Sequence, residues 1–199
     1  SEYLPSDKRA RVLGVLELFE GIPTVVFGYF ALLFVTPLLQ KVIPGLSLFN
    51  PLSAGLVMGF AILPYVSNVA ADAMQSVPRS IREAAYALGA RPYEVALKVV
   101  LPAALSGVIA AIILAASRAI GETMIVAIAA GQRPTLTLDP RETIATMTSY
   151  IVQAATGDQP TGSTAYYALF AVGFTLFLLT LALNVLAQYI VERYRERYE

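Results

Sequence analysis

The stretch SVPRSIREAAYALGARPYEVALKVVLP, residues 76–102, is the most charged segment in the middle of an otherwise apolar sequence. Its prolines and glycine predict two short helices. Pro78 suits the first turn of one helix, Gly89 the residue just after its end, and Pro92 the first turn of the next. Pro102 then marks the expected break before a long apolar run. Two short amphipathic helices set between hydrophobic segments predict a docking element at a membrane surface.

The composition is typical of a polytopic membrane protein. Of the 199 residues, 57% are hydrophobic and only 14% are charged, whereas soluble domains are about 25% charged. The net charge is zero, so it gives no argument for a nucleic-acid partner, and we expect none. The chain has no Cys and no His, which excludes thiol catalysis, disulfides and most zinc or haem sites. We therefore expect no metal and no cofactor.

Four apolar segments are long enough to cross a hydrocarbon core ~30 Å thick, which takes about 20 residues of helix. They cover residues 21–39, 51–73, 103–130 and 165–191. A bend is expected at Gly21–Pro23, between an amphipathic helix and the first span. The long polar connection before the last span has room for one more helix, over residues 142–155. The pattern predicts an all-α membrane helix bundle.

The distribution of basic residues predicts the orientation. With four spans, the N-terminal segment, the central charged stretch and the C-terminal tail lie on one side and hold ten of the 14 Lys and Arg residues. The other side holds Lys41, Arg133 and Arg141. Because short cytoplasmic loops collect Lys and Arg, we expect both ends of this chain and the central stretch to be cytoplasmic.

Arg118 and Glu122 are charged residues inside the third span. Each charge costs roughly 2.5–3.5 kcal/mol at the centre of a membrane helix, so such residues are functional candidates. On a continuous helix their spacing places them on one face, about 6 Å apart. Arg118 would contact an anion in a water-filled pathway, with Glu122 positioning or screening the guanidinium. The structural alternative is an ion pair that only joins two helices.

The third span also carries Gly107, Ala111, Ala115 and Ala119, each four residues apart, which predicts close helix packing. The sequence contains no nucleophile–base constellation and no phosphate-cradling glycine loop. We therefore do not expect an enzyme. If the chain takes part in active transport, another subunit must hydrolyse the nucleotide.

The run EAAYALGARPYEVALKVVLP, residues 83–102, resembles the Glu-Ala-Ala motif of the permeases of ABC importers. The positions that fit the motif are Glu83, Ala84, Ala85, Gly89, Val99, Leu101 and Pro102, with Val99 standing where Ile is common. The resemblance implies a type I importer fold in which this motif forms cytoplasmic coupling helices. It also implies that the helices dock into a groove of an ATP-binding cassette subunit.

Three further runs are similar to the phosphate-specific members of that family, and among these to the C-type permease subunit. They are GIPTVVFGYFALL (residues 21–33), SRAIGETMIVAIAAG (117–131) and ALNVLAQYIV (182–191). The resemblance implies that Arg118 and Glu122 take part in phosphate translocation in a bacterial or archaeal inner membrane. It implies three protein partners, namely the ATPase, a second permease subunit and an extracytoplasmic phosphate-binding protein.

The chain departs from the family in one respect, the number of its spans, and two alternative functions remain open. Full-length members have six spans, so a chain with four that starts with a cytoplasmic segment is expected to lack two N-terminal spans. The first alternative is a permease for another oxyanion, such as molybdate, sulfate or phosphonate. The second is a membrane sensor or scaffold that does not transport. For an importer, the binding protein would dock on the loops around Lys41–Asn50 and Gly131–Thr164.

Overall fold

The structure is a computed structural model that describes residues 6–158 and 160–194. These residues form helices, turns and loops with no strand among them, which confirms the predicted all-α class. The helices are α1 (Ser6–Glu20), α2 (Thr24–Gln40), α3 (Pro51–Gln75), α4 (Arg79–Ala87), α5 (Pro92–Ala103), α6 (Leu105–Gly121), α7 (Met124–Ala129), α8 (Met147–Thr156) and α9 (Thr164–Tyr194). The first five residues of the predicted N-terminal segment and most of the predicted charged tail lie outside the described residues.

The chain has helices able to cross a membrane. Within the described ranges, Pro51–Gln75 and Thr164–Arg193 are each long and apolar enough to do so. The number of candidate spans rises to four if α1 with α2, and α5 with α6, each count as one broken span. The chain between α1 and α2 is non-helical from Gly21 to Pro23, where the sequence predicts a bend.

Two helices contain a stretch of wider, π-type turns directly before a proline. These stretches are Ala31–Val35 in α2 and Val95–Val100 in α5, and Pro37 and Pro102 follow two residues later. A proline has no N–H, and its ring crowds the carbonyl four residues earlier, so a wider turn lets the helix continue. The break predicted at Pro102 lies instead at Ala104 (φ −92°, ψ 1°), where α5 and α6 meet at 69°.

The described chain divides into two compact units. Unit 1 is built around Leu63–Ser117 and includes residues near both ends of the chain. Unit 2 comprises Gly21–Ile62 and Arg118–Leu181. The central charged stretch belongs to unit 1, whereas Arg118 and Glu122 belong to unit 2.

The core of unit 1 forms where α4 packs against α5. Its buried members are Val77, Val95, Val100 and Ala104. Complete burial of each valine contributes about 1.5–3 kcal/mol to folding. In the same unit α6 comes close to α3, because a Cβ added to Gly107 would lie only 2.6 Å from the Cβ of Ala73. Gly107 thus allows the close packing of α6 against α3 that the spacing of the small residues predicts.

The core of unit 2 joins α2, α3 and α7. Its buried members are Phe27, Ala31, Ala54, Val57, Ile125, Val126, Ala129 and Ala130. Gly28 allows α7 to approach α2, since a Cβ there would lie 3.0 Å from a side-chain carbon of Ile128. The short helix α7 is therefore held by apolar packing along its length.

A buried polar cluster fixes the same three helices at one level. The hydroxyl of Thr36 in α2 donates to that of Ser53 in α3 at 2.7 Å. The Oδ1 atom of Asn50 accepts a hydrogen bond from the backbone N–H of Ser53 at 2.8 Å, and the backbone N–H of Asn50 donates to the Ala129 carbonyl at 2.9 Å. All three polar side chains are fully buried and hydrogen-bonded, as buried polar groups must be. This cluster positions α7 against the start of α3.

Candidate functional site

The helix that carries Arg118 ends before Glu122. α6 stops at Gly121 with Arg118 in its last turn, and two non-helical residues precede Met124. Residues 103–130 therefore do not form the single helix that we expected. The expectation that the two charged side chains share one continuous helical face is wrong for the same reason. Glycine has the lowest helix propensity after proline, which favours an end at this position.

The side chain of Glu122 stabilises the break. Its Oε1 atom accepts hydrogen bonds from the backbone amides of Met124, at 3.0 Å, and Ile125, at 3.4 Å. The first amides of a helix have no partner within the helix, and a carboxylate interacts favourably with the positive end of the helix dipole. Glu122 thus caps α7.

Thr148, which was not among the predicted site residues, also fixes the position of the break. Its hydroxyl donates to the backbone carbonyl of Glu122 at 2.7 Å, and its side chain is buried. The hydroxyls of Thr146 and Thr148 lie 3.0 Å apart, and Thr146 also accepts from the Ser149 amide at 3.1 Å to cap α8. The Thr-x-x-Ser spacing could have revealed the cap, but not the contact with a residue 26 positions away.

A cavity of about 310 Å³ lies beside the break, within unit 2. Glu122, Thr146 and Thr148 form its polar corner, and apolar side chains such as Met58 and Leu176 line the rest. A few polar groups on an apolar wall suit a small polar solute that must be oriented. Arg118 is exposed and is not among the residues that line this cavity.

The central stretch forms the two short helices predicted from its punctuation. α4 ends at Ala87, and Gly89 has the positive φ of 84° expected just past a helix end. Pro92 occupies the first turn of α5, where a missing N–H costs no hydrogen bond.

Glu94 caps the start of α5 from inside the helix. Its Oε2 accepts from the Arg91 amide at 3.0 Å, and its Oε1 lies 3.2 Å from the Lys98 ammonium. The hydrogen bond from the Arg91 amide, and then the Lys98 ammonium, lower the pKa of this carboxyl. The Lys98 side chain is 72% exposed and that of Glu94 is 29% exposed. Because solvent screens their charges, the ion pair contributes little to stability.

Arg82 connects α4 to the preceding helix. Its guanidinium donates to the carbonyl of Met74 at 2.7 Å and to that of Val77 at 2.8 Å. Met74 lies in the last turn of α3 and Val77 in the turn that follows, and carbonyls at such positions have no i+4 amide of the same helix to accept from. The orientation of α4 is thereby set by α3.

Most of the motif residues lie on the surface of unit 1. Glu83, Ala84, Gly89 and Pro102 are exposed, whereas Ala85 and Leu101 are half-buried. Beside them, 89% of Leu88 and 60% of Leu97 are exposed, and Tyr86 and Tyr93 are exposed to about half. Large apolar side chains interspersed with charge on a rigid helix pair are typical of a protein-docking surface.

The two loops predicted to share the opposite side are joined. The Ser47 amide donates to the Arg141 carbonyl at 3.0 Å, and the Thr143 hydroxyl donates to the Phe49 carbonyl at 2.8 Å. Gly131 starts the second loop with φ 96°, and a Cβ there would collide with the side chain of Thr143. Residues 41–50 and 131–146 therefore form one continuous surface of unit 2, which we name the loop surface.

In the ranges that the structure describes, no group of three or more Asp and Glu residues is arranged to hold a metal ion. The polar groups at the break are one carboxylate, hydroxyls and backbone carbonyls, and each already has a hydrogen-bond role in the fold.

Comparisons with known proteins agree with the helical architecture and the motif. The chain is 31% identical over 193 residues to "Probable ABC transporter permease protein YqgH" of Bacillus subtilis, which covers 97% of this chain and 62% of that protein. It is 32% identical over 215 residues to "Phosphate transport system permease protein PstC" of Xylella fastidiosa, and this match covers 97% of this chain and 64% of that protein. It is 28% identical over 218 residues to "Probable phosphate transport system permease protein PstC" of Methanocaldococcus jannaschii, and this match covers 98% of this chain and 67% of that protein.

The chain thus spans a little under two thirds of the length of the first two of these relatives. No solved structure matches it significantly. Residues 8–196, nearly the whole chain, match one family of membrane proteins. On that match, and on the motif and membrane helices described above, the chain belongs to the family of binding-protein-dependent transport system inner membrane components.

Proposed function

We propose that this chain is the membrane-spanning subunit of an ATP-driven phosphate importer, in which it forms one half of a permease pair. The observation that carries the proposal is the set of relatives named phosphate transport system permease protein PstC, which match 96–99% of this chain. Membership of the family supports the role of a permease subunit, and the names of the PstC relatives support phosphate as the substrate.

In the proposed mechanism, α4 and α5 carry force from an ATPase to the membrane helices. Closure of the ATPase dimer on ATP pushes the exposed motif, and the spans rock between an outward-open and an inward-open state. The geometry supports this role because the buried valines and the Arg82 hydrogen bonds attach the helix pair firmly to α3. The turn at Gly89 and the exposed Leu88 form the surface that the ATPase would contact.

Phosphate passes the level of Arg118 and Glu122. Arg118 supplies the planar guanidinium that suits an oxyanion, since it offers five donors in a fixed fork. Glu122 keeps the helix broken at this level by capping α7. Broken helices are a common way in which transporters place polar groups inside the membrane. Thr146 and Thr148 complete the polar corner of the adjacent cavity.

A soluble phosphate-binding protein docks on the loop surface in this proposal. The hydrogen bonds between residues 41–50 and 131–146 support a preformed docking site, since the two loops present one surface. The excess of Lys and Arg on the other side supports an orientation in which this surface is extracytoplasmic and both ends of this chain are cytoplasmic.

The test is uptake of radiolabelled phosphate by the assembled transporter in proteoliposomes, with the ATPase, the second permease and the binding protein present. Arg118→Gln should abolish uptake while the complex still assembles. Arg193→Gln, which removes the same charge from an exposed position near the end of α9, should transport normally. Undiminished uptake by Arg118→Gln contradicts the assignment of the site.

Competition by unlabelled oxyanions separates the proposal from its alternatives. Phosphate in excess should block uptake, whereas sulfate, molybdate and phosphonate should not. A stronger effect of any of these three makes the chain a permease for that oxyanion. ATP-dependent assembly without any flux makes it a sensor or scaffold.

A further inference from the structure

Unit 2 contains a second and larger cavity, of about 670 Å³, next to the loop surface. Its wall is apolar: Tyr29 and Leu32 come from α2, Ile128 from α7 and Phe49 from the loop before α3. Gln132, Arg133 and Thr143 add polar groups to the lining. The volume lies within the range of sites that hold a small organic ligand.

The charged side chain among the described residues that line the cavity is that of Arg133. None of the described residues that line it is Asp or Glu, and Arg133 is exposed. The neighbouring arginine differs, since Arg141 is paired with Asp139 at 2.6 Å. A cation beside an apolar wall attracts a ligand that combines an anionic group with a hydrocarbon part.

The position of the cavity along α2 distinguishes a lipid from a free anion. Leu32 lies eight residues before Gln40, or about 12 Å along the axis, so part of the cavity wall lies along the body of this apolar helix. On the same helix Leu33 and Phe34 are 61% and 67% exposed, so the outer face of α2 beside the cavity is apolar. The polar side chains of the lining are those of Tyr29, Gln132, Arg133 and Thr143, and the Thr143 hydroxyl already donates to the Phe49 carbonyl. A free phosphate would have few remaining donors there and would lose its hydration against apolar carbon.

We propose that this cavity binds an anionic phospholipid. The headgroup phosphate accepts hydrogen bonds from the Arg133 guanidinium and the Gln132 amide. The upper part of an acyl chain lies against Leu32, Phe49 and Ile128. A bound lipid there fills the space between α2, α7 and the loop surface, and so supports the loop surface. The proposal is independent of which anion the protein transports.

The experiment counts lipids that stay bound to the assembled transporter. The complex is extracted from vesicles of phosphatidylglycerol and phosphatidylcholine in equal amounts, and native mass spectrometry identifies the retained lipids. The wild type should retain phosphatidylglycerol in preference to phosphatidylcholine. Arg133→Gln should reduce that retention roughly fivefold, because one Lys or Arg near a membrane surface contributes about that factor to the binding of anionic lipid. Arg133→Glu should abolish it.

Lys41→Gln is the matched control, because Lys41 is also an exposed cation of the loop surface but does not line the cavity. It should retain phosphatidylglycerol as the wild type does. Equal retention by Arg133→Gln and wild type, or equal retention of the two lipids, overturns the proposal. So does loss of the lipid when 10-fold excess inorganic phosphate is added, since this identifies a free-anion site. Efficient cross-linking to another subunit through a thiol-reactive photo-cross-linker attached to Leu32→Cys also overturns it, because a protein then covers the cavity.

Discussion

The hydroxyl of Thr148 donates a hydrogen bond to the backbone carbonyl of Glu122 at 2.7 Å, and so ties the start of α8 to the break between α6 and α7. The donor is buried, so loss of this bond leaves a carbonyl without its partner in a site of low polarity. The relationship makes Thr148 a positioning residue for the proposed translocation level.

Thr148→Val keeps the shape of the side chain and removes only the hydroxyl. We expect phosphate uptake to fall by about tenfold, because an unpaired buried acceptor costs about 1–3 kcal/mol and the break becomes free to shift. Thr148→Ser should restore most of the uptake, since it restores the donor. Uptake rates at saturating phosphate measure the effect. Similar activity of the Val and wild-type proteins would show that the hydrogen bond does not matter for transport.

Glu122 has two separable roles, as a charge and as a helix cap. Glu122→Gln keeps an oxygen that can accept from the amides of Met124 and Ile125, whereas Glu122→Leu leaves both amides without a side-chain acceptor. We expect the Glu122→Leu substitution to lower the free energy of unfolding by about 1 kcal/mol more than Glu122→Gln does. Thermal unfolding of the purified complex measures this difference. If the Gln variant is as stable as the wild type but transports poorly, the charge itself acts in transport.

Gly89 adopts φ 84°, which costs other residues roughly 1–2 kcal/mol because their Cβ collides with the backbone. Gly89→Val should therefore disturb the turn between α4 and α5 and weaken both ATPase docking and stimulated ATP hydrolysis. The measurements are co-purification of the ATPase and its activity in the complex. Gly59→Ala is the control, because Gly59 is helical and has open space around it. Normal assembly, hydrolysis and uptake in Gly89→Val would argue against the docking role.

The Asp139–Arg141 pair on the loop surface gives a prediction for pH. The Arg141 side chain and amide lower the pKa of Asp139 from 3.8 to about 2. Since the folded pKa is below that of the unfolded chain, about 3.9, the pair stabilises the fold above pH 4, and its contribution is lost as the pH falls through 2. The pair is exposed, so the effect on stability is small.

Arg141→Gln should return the pKa of Asp139 towards 3.8, as measured by NMR titration of its carboxyl carbon. Arg133→Gln, which removes a neighbouring charge that does not pair with Asp139, should leave the titration unchanged. A pKa that remains near 2 in Arg141→Gln means that other groups hold the carboxylate ionised.

Local patterns in the sequence predicted a large part of this fold. Hydropathy located the long helices Pro51–Gln75 and Thr164–Tyr194, because about 20 apolar residues in a row have few other stable environments. Gly89 and Pro92 predicted the end of one short helix and the start of the next, because each restricts the backbone at its own position.

The sequence by itself thus determined the two long apolar helices, the two short helices α4 and α5 with the turn between them, and the family motif. It did not determine where the apolar run 103–130 breaks. That position depends on the Glu122 carboxylate, which takes the amides of Met124 and Ile125, and on the Thr148 hydroxyl, which reaches the Glu122 carbonyl from 26 residues away. Periodicity reports which residues share a face, but it carries no information about hydrogen bonds between distant segments. Only the tertiary structure could place the break, the cavity beside it and the joined loops.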